Sequence, residues 1–229
     1  MTVNLPLLIG LAERLRPVLD ELVFVGGATV ELYLTDPAAA RPRVTRDVDV
    51  VCEAESRTAY FELGERVRAL GFAEDQAAGA PIGRWRSPDG ILDLMPKDPA
   101  ILGFTNPWYD LGLRTAERRL LAANLVVRIL QPPVFVATKL SAFEGRGAGD
   151  PFSSHDVEDL VVVVSGRPEL PEEVAAAGPE LRGWTARFLR THFAGDIREM
   201  VAANLPQARE TPGLVSEVVR RFETMMSHD

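Results

Sequence analysis

Two aspartates, Asp47 and Asp49, flank a single valine in the segment Thr45-Arg46-Asp47-Val48-Asp49. The β-branched run 48–52 is typical of a strand. Alternate side chains of a strand share a face, so both carboxylates point the same way. Two negative charges held side by side repel each other unless a cation lies between them. Mg²⁺ takes carboxylate oxygens together with substrate phosphates, so the pair indicates phosphoryl or nucleotidyl transfer.

A glycine pair, Gly26-Gly27, ends the apolar run 22–25 ahead of these aspartates. The run predicts a short buried strand, the glycines a tight turn, and residues 28–34 a short helix. Glycines at such a junction leave backbone N–H groups open to a phosphate. A plain turn is the alternative, since glycine is the usual residue where φ must be positive. The Asp-x-Asp strand that follows favours the phosphate site.

A third carboxylate, Asp93, lies in a predicted hairpin. Its strands are expected at 83–86 and 91–95, joined by the turn Ser87-Pro88-Asp89-Gly90. Acids are depleted in the middle of strands, and this one faces away from its two leucine neighbours. If the hairpin lies beside the strand of Asp47, the carboxylates form one cluster. The alternative is that they are exposed acids that only serve solubility.

A basic helix and an acidic helix start follow in the second half of the chain. The predicted helix 134–145 holds Lys139, and Arg146 comes seven residues later on the same face. The next helix begins with Asp156 and Asp159. Acids in a first turn also complement the helix dipole, which is the alternative explanation. Their density opposite a basic helix indicates ion pairs that orient Lys139 or Arg146.

The remaining pattern predicts an α/β half followed by a helical half. An N-terminal helix is expected to begin at Asn4 and to kink or end at Pro17. A second helix is predicted over 56–70, a loop over 97–112, and a hairpin around Ala123-Asn124. After the helix that starts near residue 156, two or three more helices are expected. We predict an α/β domain over 1–131 and a helical domain over 132–229.

Composition is that of an ordinary soluble protein, with 229 residues, 46% hydrophobic and 25% charged. The net charge of −8 argues against a surface that binds nucleic acid everywhere. Three groups of arginines are nevertheless compatible with a local basic path for a polyanion, although solvent-exposed faces of the protein explain such groups more often. These groups are Arg41, Arg43 and Arg46; Arg114, Arg118 and Arg119; and Arg182, Arg187 and Arg190.

Several classes of protein are disfavoured by the sequence. The single cysteine, Cys52, cannot form an internal disulfide, which fits a reducing cytosol. No signal peptide or membrane-spanning run is recognisable, so we expect a cytoplasmic protein that makes no membrane contact. The histidines His155, His192 and His228 are scattered, which disfavours a zinc site. Neither a Walker glycine loop nor a Gly-x-Ser-x-Gly elbow is present.

These motifs together resemble those of a known superfamily. Three are similar to the nucleotidyltransferase fold of the DNA polymerase β superfamily: Phe24-Val25-Gly26-Gly27-Ala28, Thr45-Arg46-Asp47-Val48-Asp49-Val50 and Leu92-Asp93-Leu94. Two more resemble the AbiEii-type nucleotidyltransferase toxins and their MenT-like relatives: Lys139-Leu140-x-Ala142-Phe143-x-x-Arg146 and Ser154-His155-Asp156-x-x-Asp159-Leu160. The resemblance covers roughly residues 20–165 and implies an α/β (α+β) nucleotidyltransferase fold: a mixed β-sheet flanked by helices, plus a C-terminal helical bundle.

The resemblance also implies a reaction and its residues. A nucleoside monophosphate would pass from an NTP to an acceptor, with Mg²⁺ as cofactor and pyrophosphate released. Asp47, Asp49 and Asp93 would hold the metal, and Asp93 would also help deprotonate the acceptor hydroxyl. The catalytic set adds Lys139. The implied nucleotide-binding residues are Gly26, Gly27, Thr29, Arg46, Lys139, Arg146, Asp156 and Asp159.

Individual roles within this set follow from the same resemblance. Gly26 and Gly27 would cradle the triphosphate, and Arg46 or Lys139 would neutralise it. Asp156 or Asp159 would position the lysine. Many superfamily members have serine at the position of Gly27, so Thr29 is the candidate to replace that hydroxyl contact.

The resemblance further implies a toxin of a toxin–antitoxin or phage-defence system, with tRNA as the favoured acceptor and a cognate antitoxin as a protein partner. A nucleotidyltransferase that acts on a small molecule, such as an antibiotic, or on a protein is one alternative, which the acidic net charge favours. A non-catalytic module that binds a nucleotide or a partner protein is the other.

Overall fold

The computed structural model describes residues 3–146, 149–205, 207 and 211–227. The chain forms two compact units. Unit 1 comprises Met1–Glu31 and Arg43–Gln131, and unit 2 comprises Leu32–Pro42 and Pro132–Asp229. Residues 32–42, which the sequence prediction assigns to the first domain, therefore group with unit 2. His228 lies outside the described residues.

A mixed β-sheet is the main element of unit 1. Its strands are β1 (Leu22–Val25), β2 (Asp47–Cys52), β3 (Ala73–Glu74), β4 (Arg84–Ser87), β5 (Gly90–Pro96), β6 (Glu117–Ala122) and β7 (Leu125–Ile129). Over the described ranges these seven strands run in the order β3-β4-β5-β2-β1-β7-β6. The β1–β7 and β2–β5 pairs are parallel and the other pairs antiparallel. Because β1 and β2 are inner strands, their valine-rich runs are buried.

The helices of unit 1 are α1 (Leu5–Arg14), α2 (Arg57–Ala69), α3 (Pro99–Leu102) and α4 (Tyr109–Thr115), with a 3₁₀ segment at Arg16–Glu21. A second 3₁₀ segment, Gly27–Tyr33, begins in unit 1, and its last two residues group with unit 2. The α2 helix begins where the sequence predicts because the side chain of Ser56 accepts a hydrogen bond from the backbone N–H of Ala59. Its buried face carries Tyr60, Leu63 and Val67 at helical spacing.

Two sequence predictions about unit 1 are wrong. Asn4 does not cap α1 with its side chain, which bonds to the backbone of residues 43 and 45 instead. The segment 97–112 contains the short helices α3 and α4, although its prolines predict a loop. Pro99 occupies the first position of α3, where no N–H is needed, and Asp98 accepts a hydrogen bond from the N–H of Ala100.

Both predicted hairpins are confirmed. In the first, Ser87 pairs with Gly90 across a two-residue turn between β4 and β5. In the second, β6 and β7 are joined at Asn124, whose φ of 61° lies in the left-handed region. Asparagine tolerates that region better than most residues do, which is why this position turns the chain.

Unit 2 is helical. Its helices are α5 (Pro132–Gly145), α6 (His155–Gly166), α7 (Leu170–Ala176), α8 (Pro179–Phe193), α9 (Ile197–Asn204) and α10 (Leu214–Met226). In the described ranges four helices follow α6, where the sequence predicts two or three. Segment 32–42 belongs here because the N–H groups of Thr35 and Asp36 both donate to the carbonyl of Gly166. A Cβ at Gly166 would lie 2.7 Å from side-chain atoms of Leu34 and Ala39, so glycine permits this close approach.

The architecture confirms the predicted fold class: a mixed seven-stranded sheet flanked by helices, followed by a C-terminal helical region, as far as the described residues extend. Within the same residues, no helix has both the length and the apolar character needed to cross a bilayer.

Candidate active site

The three predicted carboxylates lie together on one face of the sheet. Strands β2 and β5 are parallel neighbours, with Asp49 directly opposite Asp93 and Asp47 opposite Ile91. Opposite residues in a sheet share a face, and so do residues two apart on one strand. The structure therefore brings Asp47, Asp49 and Asp93 into one cluster. Val48, Val50 and Leu92 point to the other face and are fully buried, which fixes the register that aims the acids outward.

An arginine that the sequence analysis did not single out lies between two of these carboxylates. Arg84 Nη2 donates to Asp93 Oδ2 at 2.6 Å and to Asp47 Oδ2 at 2.9 Å, and its Nε donates to Asp93 Oδ1 at 2.8 Å. The contact with Asp93 is thus a two-point ion pair of the strong planar kind. Hydrogen bonding to Asp93 raises the pKa of the Arg84 guanidinium above its ordinary value, so the group stays charged.

The β4–β5 hairpin places this arginine. Its register sets Arg84 directly opposite Asp93. Just before β4, Gly83 has a φ of +85°, and a Cβ there would approach the Leu94 carbonyl oxygen to 2.6 Å. The sequence contained the information needed to find this arginine, since a two-residue turn between Ser87 and Gly90 fixes the pairing of all residues along the two strands of the hairpin. Counting back from that turn pairs residues 84 and 93.

Protein donors engage both oxygens of Asp47. Oδ2 accepts from Arg84, and Oδ1 accepts from the hydroxyl of Thr45 at 2.8 Å. Thr45 is held in turn by Asn4, whose side-chain oxygen accepts from the Thr45 N–H at 3.0 Å. The amide of Asn4 donates to the Arg43 carbonyl at 2.9 Å. Asn4 thereby anchors the segment that leads into β2 and fixes the approach to the first aspartate.

The remaining carboxylate of the cluster, Asp49, lies against the turn formed by Gly26 and Gly27. Gly26 has a φ of +73°, and a Cβ there would fall 2.0 Å from Asp49 Oδ2. Only a glycine allows the backbone and this carboxylate to come so close. The hydroxyl of Thr29, fully buried, donates to the Gly26 carbonyl at 2.9 Å and holds the turn. In this geometry the hydroxyl of Thr29 stabilises the turn. Contacts of Thr29 and of the buried Gly27 with a phosphate stay predictions.

The donor set fits Mg²⁺ in kind, because hard carboxylate oxygens are the ligands this ion prefers. As placed, however, the described residues contain no group of three or more His, Cys, Asp or Glu side chains arranged around one metal position. Arg84 donates hydrogen bonds to oxygens of two of the three candidate ligands, Asp47 and Asp93.

The other predicted residue of unit 1, Arg46, is exposed immediately before β2. Its position leaves the side chain accessible to an anionic ligand. Cys52, at the opposite end of β2, is buried, and burial raises the pKa of its thiol to about 11. A thiol with that pKa stays protonated at neutral pH and is a poor nucleophile.

In unit 2 the predicted basic and acidic residues form a buried ion-pair network. Lys139 Nζ on α5 lies 2.6 Å from Asp159 Oδ2 and 3.2 Å from Asp156 Oδ1, both on α6. Arg146 also pairs with Asp156. The side chains of Lys139, Asp156 and Asp159 are 7%, 5% and 1% exposed, whereas that of Arg146 is 72% exposed. The predicted ion pairs are confirmed, and nucleotide binding by these residues stays a prediction.

Removal of the lysine is expected to destabilise the protein strongly. Lys139→Met keeps much of the side-chain volume but leaves two carboxylates buried without their shared cation, a loss of about 3–5 kcal/mol in the free energy of unfolding. Arg146→Ala is the matched control and is expected to cost at most about 1 kcal/mol, because that side chain is largely in water. Urea unfolding followed by circular dichroism measures both. Equal losses in the two variants would contradict the prediction.

Comparisons with known proteins agree with the fold class. The chain has a nucleotidyltransferase-like fold, and one similar solved structure is an antigenic nucleotidyltransferase-like protein from Paracoccidioides brasiliensis. That structure has a TM-score of 0.51 and 22% sequence identity, over 87% of this chain and 93% of that chain. No protein-family model matches this chain, and no curated protein matches it. The resemblance to AbiEii-type and MenT-like toxins therefore rests on the sequence motifs alone.

Proposed function

We propose that this protein is a Mg²⁺-dependent nucleotidyltransferase that transfers a nucleoside monophosphate from an NTP to an acceptor. One observation carries the proposal: three carboxylates from two parallel strands share a face, and one of them lies against a glycine turn with positive φ. Carboxylates that only served solubility would not need a glycine at position 26, where a Cβ would collide with Asp49. The nucleotidyltransferase-like fold of the similar structure supports the same reading.

In the proposed reaction the acceptor hydroxyl attacks the α-phosphorus of the NTP. A new P–O bond forms, the bond to the bridging oxygen breaks, and pyrophosphate leaves. The backbone at Gly26 and Gly27 holds the phosphates, and the exposed Arg46 neutralises part of their charge. Asp93 accepts the proton from the acceptor hydroxyl oxygen. When bound, Mg²⁺ offsets the negative charge that gathers on the phosphate oxygens.

We favour tRNA as the acceptor and a toxin of a toxin–antitoxin or phage-defence system as the biological role, with an antitoxin as partner. The motif segments around Lys139 and Asp156 support this choice through their similarity to the AbiEii-type and MenT-like toxins. The net charge of −8 supports the second candidate, an enzyme that modifies a small molecule or a protein, because an acidic surface repels RNA.

Label transfer tests the proposal. The protein is incubated with Mg²⁺ and each α-³²P-labelled NTP in turn, in the presence of total tRNA, an aminoglycoside mixture or no added acceptor. Label on tRNA that requires Mg²⁺ is the expected result. Label on an aminoglycoside or on protein would favour the second candidate. Metal-dependent NTP binding by calorimetry without transfer to any acceptor would indicate a non-catalytic module and refute the proposed activity.

A further inference from the structure

The cation that neutralises the carboxylate cluster in this structure belongs to the chain itself. We propose that Arg84 is a built-in counter-ion that competes with a divalent cation for Asp47 and Asp93, and that its guanidinium must leave both carboxylates when the metal binds. The inference rests on the proposed function, because it takes these carboxylates as the metal ligands. It adds a residue that holds the cluster together before the substrate arrives.

Charge explains why such a residue is needed. Asp47, Asp49 and Asp93 carry three negative charges on adjacent strands, and Arg84 reduces the net charge of the group to −2. Like charges this close oppose one another, more strongly where water is partly excluded. The side chains of Asp93 and Arg84 are 16% and 20% exposed, so water screens them only in part. Without a metal, the arginine offsets part of this repulsion and holds Asp47 and Asp93 close together through its hydrogen bonds.

Geometry explains why arginine and metal compete. Both oxygens of Asp93 and one oxygen of Asp47 accept hydrogen bonds from Arg84, and Thr45 engages the other oxygen of Asp47. Mg²⁺ demands near-octahedral oxygen ligands at about 2.0–2.1 Å. A guanidinium that touches the same oxygens also repels the ion electrostatically. The two cations therefore cannot share Asp47 and Asp93 as these residues are placed.

The arginine can move without unfolding its strand. Trp85, the next residue of β4, is 3% exposed and anchors the backbone in the core, whereas the side chain of Arg84 is 20% exposed and has partial access to solvent. Its planar fork of donors suits a phosphate as well as a carboxylate. A guanidinium released from the two carboxylates thus has a ligand of matching geometry in the triphosphate.

Calorimetric titration with Mn²⁺ tests the competition on wild-type protein, Arg84→Gln and Arg86→Gln. If the ion pair forms in about nine-tenths of the molecules, its removal lowers the apparent Kd for Mn²⁺ about tenfold. Arg86 is the matched control, because it lies two residues along β4, pairs with Asp75 outside the carboxylate cluster and is 55% exposed. Arg86→Gln is expected to bind Mn²⁺ as the wild type does. Circular dichroism verifies that each variant is folded.

A second measurement follows Arg84 in the wild-type protein itself. In ¹H–¹⁵N spectra of the wild type, the Nε–H signal of Arg84 is expected to shift as Mg²⁺ is added. The same signal is expected to stay in place in Asp49→Asn, in which the metal site is weakened. If Arg84→Gln fails to fold, Arg84→Lys serves for its assignment, because that variant also lacks the Nε–H group.

The outcomes separate the inference from the proposed function. Wild-type protein that binds Mn²⁺, with equal or weaker binding in a folded Arg84→Gln, overturns the role of Arg84 and leaves the metal site intact. An Arg84 signal unmoved at saturating Mg²⁺ does the same. Absence of Mn²⁺ binding from both proteins overturns the metal site and the inference with it. Tighter Mn²⁺ binding by Arg84→Gln than by the wild type, without the same change in Arg86→Gln, supports the competition. This holds whether or not any acceptor is labelled in the transfer assay.

Discussion

Asp49→Asn is expected to lower the rate of nucleoside monophosphate transfer about a thousandfold, equivalent to roughly 4 kcal/mol in the activation free energy. Asparagine has nearly the same shape but removes the charge that would hold a divalent ion. The residue stands directly opposite Asp93 and against Gly26, so it is central to the cluster. Initial rates of label transfer at saturating NTP measure the effect.

Asp110→Asn provides the matched control for that prediction. Asp110 is in the same unit, its side chain is 56% exposed, and its ion pairs with Lys97 and Arg114 lie on the surface. Loss of an exposed pair costs at most about 1 kcal/mol of stability, and we expect activity to be unchanged. Full transfer activity in Asp49→Asn would remove this carboxylate from the site, and equal loss in both variants would indicate an unspecific effect of charge.

Gly26→Ala is expected to reduce transfer about a hundredfold and to destabilise the protein by at least about 1–2 kcal/mol. The stability loss follows from placing a Cβ at a φ of +73°. The loss of activity follows because the same Cβ would fall 2.0 Å from Asp49 Oδ2, so the carboxylate must move. A displacement of about 1 Å in a catalytic group is enough for a hundredfold effect. Label-transfer rates and urea unfolding give the two quantities.

Gly103→Ala separates the backbone effect from the clash. Gly103 has a φ of +86°, close to that of Gly26, but a Cβ there would meet no atom within 4 Å. We expect it to lose a similar 1–2 kcal/mol of stability, as an order of magnitude, with transfer activity retained. If Gly103→Ala lost activity as severely as Gly26→Ala, the contact with Asp49 would not be the cause.

Much of the fold was predictable because its signals are local. The period of two in the strand of Asp47 and Asp49, the two hairpin turns and the helix predicted over 56–70 each depend on residues close in sequence. The segment 97–112 was mispredicted for a local reason as well, since proline ends one helix and begins another. Asn4 was assigned to a cap because its partners near residue 45 are remote in sequence.

For the candidate site too, the features that are local in sequence were predictable and the contacts between remote residues were not. The residue types of Asp47, Asp49 and the Gly26-Gly27 pair were sufficient to suggest a cation and a phosphate. The sequence left open whether Asp93 joins them, because that depends on which strand the hairpin adopts as its neighbour. The cation that the sequence analysis expected between the carboxylates is, in this structure, the guanidinium of Arg84.

The sequence by itself determined which side chains share a face of each strand and helix, since backbone periodicity fixes that within a few residues. Only the tertiary structure decided that β5 lies parallel to β2, that Asp49 rests on Gly26, and that Arg84 joins two remote aspartates. These pairings arise from burial of the two faces of the sheet, a property of the whole chain that no local pattern contains.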